Sequence, residues 1–245
     1  MLFYKEKLSR TRVTNNILKT FKASKAAKVD GLSWYYEANE FATELSLKSI
    51  GRRFDNGILS ASANNTKVTY SMLTKYHIAG IIAALSPLQN WQRNKELAAL
   101  FIEHLETGKD LNSFPYMKGQ VNKALMIAQC NSSDVDLLKE TIKSILGGEK
   151  TKAFFENIAA PHLSESVTID RHALSIALGK KLNIAQFSSH TMTKKQYTFF
   201  VDCYKRAAEK IGINALALQA QTWEYWRVNG SEYQRNLNNL LNLKD

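Results

Sequence analysis

The stretch LGGEKTKAFFENIAAPHLSESVTID, from Leu146 to Asp170, decides how this chain is expected to fold. It opens with Gly147-Gly148, which stands between two segments with helical spacing of apolar residues, DVDLLKETIKSIL and KTKAFFENI. Glycine adopts the positive φ angles that a tight turn needs, and it leaves the neighbouring amides uncovered. We therefore predict two helices that meet at a double-glycine turn.

The start of the second helix is a candidate anion site, because amides at a helix N-terminus point outward and favour negative charge. The amides of Gly148, Lys150 and Lys152 lie there, beside the side chain of Thr151. A double glycine between helices is most often only a turn, and lysines at a helix start are usually solvated. The turn therefore becomes a candidate for function only in combination with the acidic motif that closes the stretch.

An extended apolar segment, Val167–Ile169, closes the stretch and ends on Asp170, where a new helix begins as Asp170-Arg171-His172. An aspartate in this place is commonly a helix N-cap. Further along, HALSIALGKKL is predicted to be a helix that Gly179 closes. Two more helices are expected in YTFFVDCYKRAAEKIG and ALALQAQTWEYWRVNG, and the aromatic residues of the latter are interpreted as packing residues.

A second informative region runs from Tyr70 to Leu105. The segment Ile78–Leu85 is almost wholly apolar and must be interior, and Ser86-Pro87 interrupts it because proline cannot donate within a helix. A new helix then presents one apolar face made by Asn94, Leu97, Ala98, Phe101 and Leu105. The polar loop between the two helices contains Gln89, Asn90 and Trp91.

The order and spacing of these motifs resemble the helix-hairpin-helix DNA glycosylase superfamily, which has the endonuclease III-like fold. In that superfamily a glycine-rich hairpin precedes a lysine at the head of a helix, and the catalytic aspartate stands in a Val-Asp-x-His-like string, here Ile169–His172. The likeness covers roughly Tyr70 to Leu182, near half of the chain. The hairpin departs from the usual Gly-x-Gly, because Lys150 stands where the second glycine falls.

The resemblance implies that Asp170 is catalytic and stabilises the positive charge that forms on the sugar as the base departs. It also implies a lysine that attacks C1′ and adds strand cleavage, whereas members without the lysine use water. The motif selects Lys150, and a gapless alignment selects Lys152. We favour Lys150 because it shares a helical face with Phe154 and Ile158.

The resemblance further implies which residues contact DNA. The hairpin amides are expected to hold one phosphate of the DNA backbone, and scattered lysines and arginines are expected to supply the remaining affinity. The polar loop is expected to enter the minor groove, where Gln89, Asn90 or Trp91 fills the gap left by the extruded base. The predicted DNA-binding residues are Gly147, Gly148, Thr151, Lys152, Gln89, Asn90 and Arg171, and Trp91 and His172 are predicted to line the substrate pocket.

The fold that the resemblance implies is all-α and two-lobed, with the catalytic cleft between the lobes. Only three prolines and eleven glycines occur in 245 residues, which suits a nearly all-helical chain. One lobe is expected at about 70–150, and the other combines 1–69 with 151–245. The first 30 residues contain a basic amphipathic helix, and residues 51–69, with Arg52-Arg53, are expected to form a loop.

Composition limits the partners and cofactors. A net charge of +11 and a pI near 9.5 favour double-stranded DNA, although solvated lysines alone would also give this charge. Two cysteines are too few for a disulfide framework or a four-cysteine iron–sulfur cluster, and the five histidines show no ligand spacing. We expect no cofactor and no metal. Neither an 18-residue apolar run nor a signal segment is evident, so we expect a cytoplasmic, DNA-associated monomer with no membrane contact.

The hypothesis is a DNA glycosylase that flips and excises a damaged or modified base, with an abasic-site lyase activity if the lysine attacks. The sequence does not identify the base. A cluster-free chain with divergent ends suits DNA repair or a specialised phage or antiphage role. Two alternatives stay open: a transferase of DNA base hypermodification on the same scaffold, and a non-catalytic protein that binds duplex DNA.

Overall fold

The computed structural model describes residues 8–56, 73–188 and 192–242. Within these ranges every regular element is helical, which confirms the all-α prediction. There are eleven α-helices and one 3-10 turn at Leu111–Ser113 in this part of the chain. The helices are α1 (Arg10–Ala26), α2 (Trp34–Asn56), α3 (Lys75–Ala84), α4 (Trp91–Thr107), α5 (Lys118–Ala128), α6 (Val135–Leu146), α7 (Glu149–Ala159), α8 (Arg171–Leu178), α9 (Ile184–Ser188), α10 (Lys194–Ile211) and α11 (Ala215–Asn242).

The chain divides into two compact units. The central unit is Tyr36–His162, and the terminal unit combines Met1–Tyr35 with Leu163–Asp245. Their charges differ widely: the terminal unit holds nineteen of the 33 lysines and arginines and nine of the 22 acidic residues, a net charge of +10, which leaves +1 for the central unit. The sequence predicts one lobe at 70–150 and a second lobe made of 1–69 and 151–245. These bounds, and a catalytic cleft between the two lobes, stay predictions.

Helix α3 is the core of the central unit. Each residue of Ile78–Leu85 is buried, as the apolar run predicts, and α3 packs against α4, α5, α6 and α7. The close approach depends on Gly80, because a Cβ atom there would lie 2.8 Å from Ile142 Cγ2 of α6 and 3.0 Å from Ile127 Cγ2 of α5. A larger residue at this point would push α5 and α6 away from α3.

The double-glycine turn is confirmed. Helix α6 ends at Leu146, Gly147 has a φ of +78°, and Gly148 is the N-cap of α7. The Lys123 ammonium of α5 donates to the Leu146 carbonyl at 2.8 Å, so a cation stabilises the C-terminal end of α6. The turn is therefore held both by glycine conformation and by a side chain from a neighbouring helix.

The terminal unit is built from α1, α8, α10 and α11, which pack on one another. Its largest fully buried side chains are Trp226, Tyr204 and Phe200, and α1 contributes the fully buried Val13 and Ile17. The basic N-terminal helix thus packs on the body of the protein. Helix α8 ends at Gly179, whose φ of +67° is the left-handed cap that the sequence predicts.

One predicted loop is wrong in its first part. Residues 51–56 of the expected loop 51–69 continue α2, which ends at Asn56, and residues 57–72 lie outside the described ranges. The Gly, Asn and Ser content of the segment suggests a loop, but the helix runs through Gly51 because the preceding pattern propagates into it. The side chains of Arg52-Arg53 and the whole of His190 also lie outside the described residues.

Candidate functional site

Asp170 is fixed at the head of α8 from two sides. It is the N-cap of the helix, and its Oδ1 accepts a hydrogen bond from the Ala173 amide at 2.8 Å. Its Oδ2 accepts a hydrogen bond from the indole Nε1 of Trp223, also at 2.8 Å. Trp223 lies on α11, which packs against α8. The carboxylate is half-buried and held in one orientation by two neutral donors.

Trp223 also connects Asp170 to an aromatic cluster, which comprises Trp34, His172 and Trp223. The ring centroids of Trp34 and Trp223 are 6.0 Å apart, and those of His172 and Trp223 are 5.7 Å apart with the rings nearly perpendicular. The guanidinium carbon of Arg227 lies 5.8 Å from the Trp223 ring. All three rings are only half-buried, so the cluster combines aromatic surface with an acid and a cation at a place that solvent reaches.

Arg171 and His172 interact directly with each other. Arg171 donates from Nη1 to the Leu182 carbonyl at 3.0 Å, and its Nη2 lies 3.2 Å from His172 Nε2. A guanidinium can only donate, so Nε2 of His172 acts as the acceptor and the imidazole is neutral. Burial lowers the pKa of His172 below its ordinary value; the Asp170 charge opposes this, and Arg171 adds to it.

Tyr204 supports the same end of α8 from inside the core. Its hydroxyl donates to the Ala173 carbonyl at 3.0 Å, and the side chain is fully buried. Burial, with a further contribution from the Asp170 charge, raises the pKa of Tyr204 well above that of an ordinary tyrosine. The phenol therefore remains a neutral donor, and the first turn of α8 is anchored to a fully buried side chain of the terminal unit.

The hairpin offers fewer amides to an anion than the sequence suggests. Gly148 donates its amide to the Leu146 carbonyl at 3.0 Å, and Lys152 donates its amide to the Gly148 carbonyl at 3.0 Å. The amides of Glu149, Lys150 and Thr151 precede this first intrahelical bond, so they are the ones directed away from the helix. Binding of a phosphate at this turn stays a prediction.

The two candidate lysines differ in their surroundings. The Lys152 ammonium lies 3.6 Å from Glu149 Oε1 on the same helix. Among the described residues the Lys150 ammonium has no ion-pair or hydrogen-bond partner, and its side chain is half-buried, as is that of Phe154 one turn on. Both lysines belong to the central unit and Asp170 to the terminal unit.

The loop between α3 and α4 uses its polar residues internally. Gln89 forms a side-chain hydrogen bond with Tyr116, whose hydroxyl also donates to the Pro87 carbonyl. Asn90 is the N-cap of α4 and accepts from the Arg93 amide at 2.8 Å. Trp91 packs edge-on against Phe41, with 6.1 Å between ring centroids.

Leu88, in contrast, projects from this loop. It has a φ of +62° and is 79% exposed. An apolar residue in the left-handed region of backbone conformation is uncommon and is held there by the surrounding structure.

Sequence reasoning missed Leu88, since a single leucine in a polar loop gives no signal. It also interpreted Trp223 mainly as a packing residue and did not place it beside Asp170, because that contact joins residues 53 positions apart.

Neither a metal centre nor a membrane span is evident in the described ranges. No group of three or more histidine, cysteine or acidic residues there could hold a metal ion. None of the helices described is long and apolar enough to cross a membrane.

The lowered pKa of His172 makes a prediction about pH. The pKa of His172 in the folded protein lies below its unfolded value of about 6.5. As the pH falls through about 6.5, the unfolded chain therefore takes up a proton before the folded protein does. His172 thus lowers the free energy of unfolding at pH values below about 6.5. NMR titration should give a His172 midpoint below 6.5, and Asp170→Asn should lower it further by removing the neighbouring charge. His77, whose pKa is also lowered by burial, is the control and should not respond to Asp170→Asn. An unchanged His172 midpoint in that variant would contradict the proposed coupling.

Comparison with known proteins identifies one family. The sequence profile of a family of unknown function, DUF7178, matches residues 58–230, which is more than half of the chain. Neither a curated protein nor a solved structure matches. The chain therefore belongs to the DUF7178 family of unknown function.

Proposed function

We propose that this protein is a DNA glycosylase that flips a damaged or modified base out of the duplex and cuts its bond to the sugar. The observation that carries the proposal is the Asp170 carboxylate, held by the Trp223 indole and the Ala173 amide within the aromatic cluster. The helix–double glycine–helix pair and the order of the motifs along the chain add to this support.

The chemistry needs a negative charge beside the sugar. Departure of the base leaves positive charge at C1′, and a preorganised carboxylate stabilises that charge at no cost in reorganisation. Both hydrogen-bond donors to Asp170 are neutral, and none of the described cations forms an ion pair with it. Its charge is therefore not neutralised by a partner, as the proposed role requires.

The aromatic cluster suits an extruded base. Enzymes that act on a base inside a duplex must first unstack the base, which costs a few kcal/mol of free energy. Stacking of the extruded base on aromatic side chains offsets part of that cost. Trp34, His172 and Trp223 supply half-buried ring surface beside Asp170. In this proposal His172 retains the pocket role predicted for it, and Trp34 and Trp223 join it, whereas Trp91 packs against Phe41 in the central unit.

Leu88 is the residue best suited to fill the gap that the base leaves. Gln89, Asn90 and Trp91 each hold a contact that keeps the loop together, whereas Leu88 is presented to solvent. Proteins that bend DNA frequently insert apolar side chains between base steps. The proposal therefore assigns the role to Leu88 in place of the three polar-loop residues.

Affinity for DNA is proposed to come mainly from the terminal unit. Its net charge of +10 includes Arg171, Arg227 and the lysines of α1. Phosphate contacts of this kind release counterions, so binding should weaken steeply with salt. They carry no base specificity.

A second candidate function has one observation in its favour. Both carboxylate oxygens of Asp170 are satisfied within the protein, and its position as an N-cap alone explains why an acid stands there. In this alternative the protein binds duplex DNA and has no catalytic activity. Replacement of Asp170 separates the two functions.

The first functional prediction concerns Asp170→Asn. The amide keeps an oxygen for the Ala173 N–H but removes the negative charge, and it loses one acceptor if its nitrogen faces Trp223. We expect base release to fall about 100-fold or more, with a stability loss of about 1 kcal/mol and unchanged salt-dependent DNA binding. Released base from a panel of modified duplexes is measured by mass spectrometry. Asp202→Asn, on the exposed side of α10, is the matched control.

The outcomes separate the alternatives. Base release by both variants at the wild-type rate would contradict the catalytic role of Asp170. If wild-type protein binds duplexes but releases no base from any of them, including naturally hypermodified DNA, the binding function replaces the glycosylase. A covalent change in the base without its release would instead identify a transferase.

The second functional prediction concerns the nucleophile. If Lys150 attacks C1′, a Schiff base forms and borohydride traps the protein on DNA. We expect trapping by wild type and by Lys152→Ala, and none by Lys150→Ala, because Lys152 is paired with Glu149 and Lys150 has no such partner among the described residues. Loss of trapping only in Lys152→Ala would reverse the assignment. Base release without trapping in any variant would identify a water-dependent enzyme.

The third functional prediction concerns Leu88→Ala. Without the apolar side chain the vacated space in the stack is not filled, so extrusion costs more, and we expect about tenfold slower base release from paired duplexes. Release from single-stranded substrate should be unchanged, since nothing has to be unstacked. Leu47→Ala, which alters a leucine on α2 that is 62% exposed, is the control. Equal slowing on both substrates would remove Leu88 from this role.

A further inference from the structure

A groove runs between α2 and α4 in the central unit. Asp170 and the aromatic cluster belong to the terminal unit, so the groove is separate from the candidate site. Its volume is about 480 Å³. Phe41 and Leu45 of α2 and Leu100 of α4 form a half-buried apolar floor, and Ala99 is exposed beside them. Phe41 and Leu45 lie one helical turn apart on the same face of α2, and Ala99 and Leu100 face the groove from α4.

The rim of the groove is acidic. Glu44 on α2 and Glu96, Glu103 and Glu106 on α4 line it, and Lys48 is the one cation among the lining residues. The lining therefore carries a net charge of −3 in a chain whose total is +11. The lining has no excess of positive charge to attract phosphate, so we do not assign this surface to the DNA contact proposed above.

Three of these glutamates already have cationic neighbours. Glu44 lies 3.9 Å from Lys48, Glu96 lies 3.2 Å from Arg93, and Glu103 lies 2.7 Å from Lys109. Each pair joins residues close in sequence, and the side chains are 42–69% exposed. Exposed pairs of this kind contribute little to stability, so an incoming cation can replace the local one at small cost.

We infer that this groove is a docking site for an amphipathic helix with basic flanks on a partner protein. An apolar floor takes the anchors at positions i, i+3, i+4 and i+7 of such a helix, and the glutamates pair with its lysines or arginines. The volume accommodates a few large apolar side chains. The inference stands on the groove itself and does not depend on the glycosylase proposal.

A second copy of this chain is the weaker occupant. Its basic amphipathic helix, α1, has the right charge but already buries its apolar face, with Val13 and Ile17 fully enclosed in the terminal unit. Docking α1 into the groove would require that core to open. The partner is therefore a different protein that presents an unpacked helix.

The test uses a fluorescent 18-residue peptide with leucines at i, i+3, i+4 and i+7 and lysines on its other face. Full-length protein at physiological salt is titrated, and anisotropy is measured. We expect a micromolar Kd, because cationic peptides are repelled by the rest of this basic protein. Ala99→Arg should weaken binding at least tenfold, since it places bulk and positive charge in the groove. Ala26→Arg, at an exposed position of α1, is the matched control.

Two further measurements test the role of the glutamates and the identity of the bound partner. Replacing Glu96 and Glu103 together by glutamine should weaken the lysine peptide several-fold, and thermal melts establish that each variant is folded. Equal binding by wild type and Ala99→Arg, or no binding by either, would overturn the proposal. Self-association of wild type that Ala99→Arg abolishes would also overturn it, because the groove would then belong to a second copy.

Discussion

The hydrogen bond from the Trp223 indole to Asp170 is the contact on which the rest of the candidate site depends. It joins the head of α8 to α11 and thereby places an acid, two tryptophans, an imidazole and two guanidinium groups in one neighbourhood. Tyr204 holds the same turn of α8 from beneath. An N-cap alone would need only the Ala173 amide, so the second donor leaves the carboxylate with a single orientation.

The central unit satisfies a different constraint. From Ile78 onward helix α3 is apolar on every side and must be enclosed, which four neighbouring helices accomplish. The absence of a side chain at Gly80 lets α5 and α6 approach it. The hairpin is a consequence of this packing, because α6 and α7 both contact α3 and the two glycines between them allow the chain to reverse.

Local patterns in the sequence were enough to predict most of the helices, the turn at Gly147-Gly148 and the caps at Asp170 and Gly179. Those features depend on residues within a few positions of one another. The partners of Asp170 depend on tertiary packing, so neither Trp34 nor Trp223 was predicted beside it. The protrusion of Leu88 is set by its backbone angle, and the extension of α2 to Asn56 by helix propagation, and neither has a signature in composition.

The uneven charge of the two units has a consequence for encounters with polyanions. Long-range attraction acts almost wholly on the terminal unit, while the nearly neutral central unit contributes little to capture. At physiological ionic strength such attraction fades beyond about 8 Å. A polyanion therefore attracts the terminal unit, which contains Asp170, before it contacts the central unit. Contact with the central unit then depends on short-range complementarity of the surfaces.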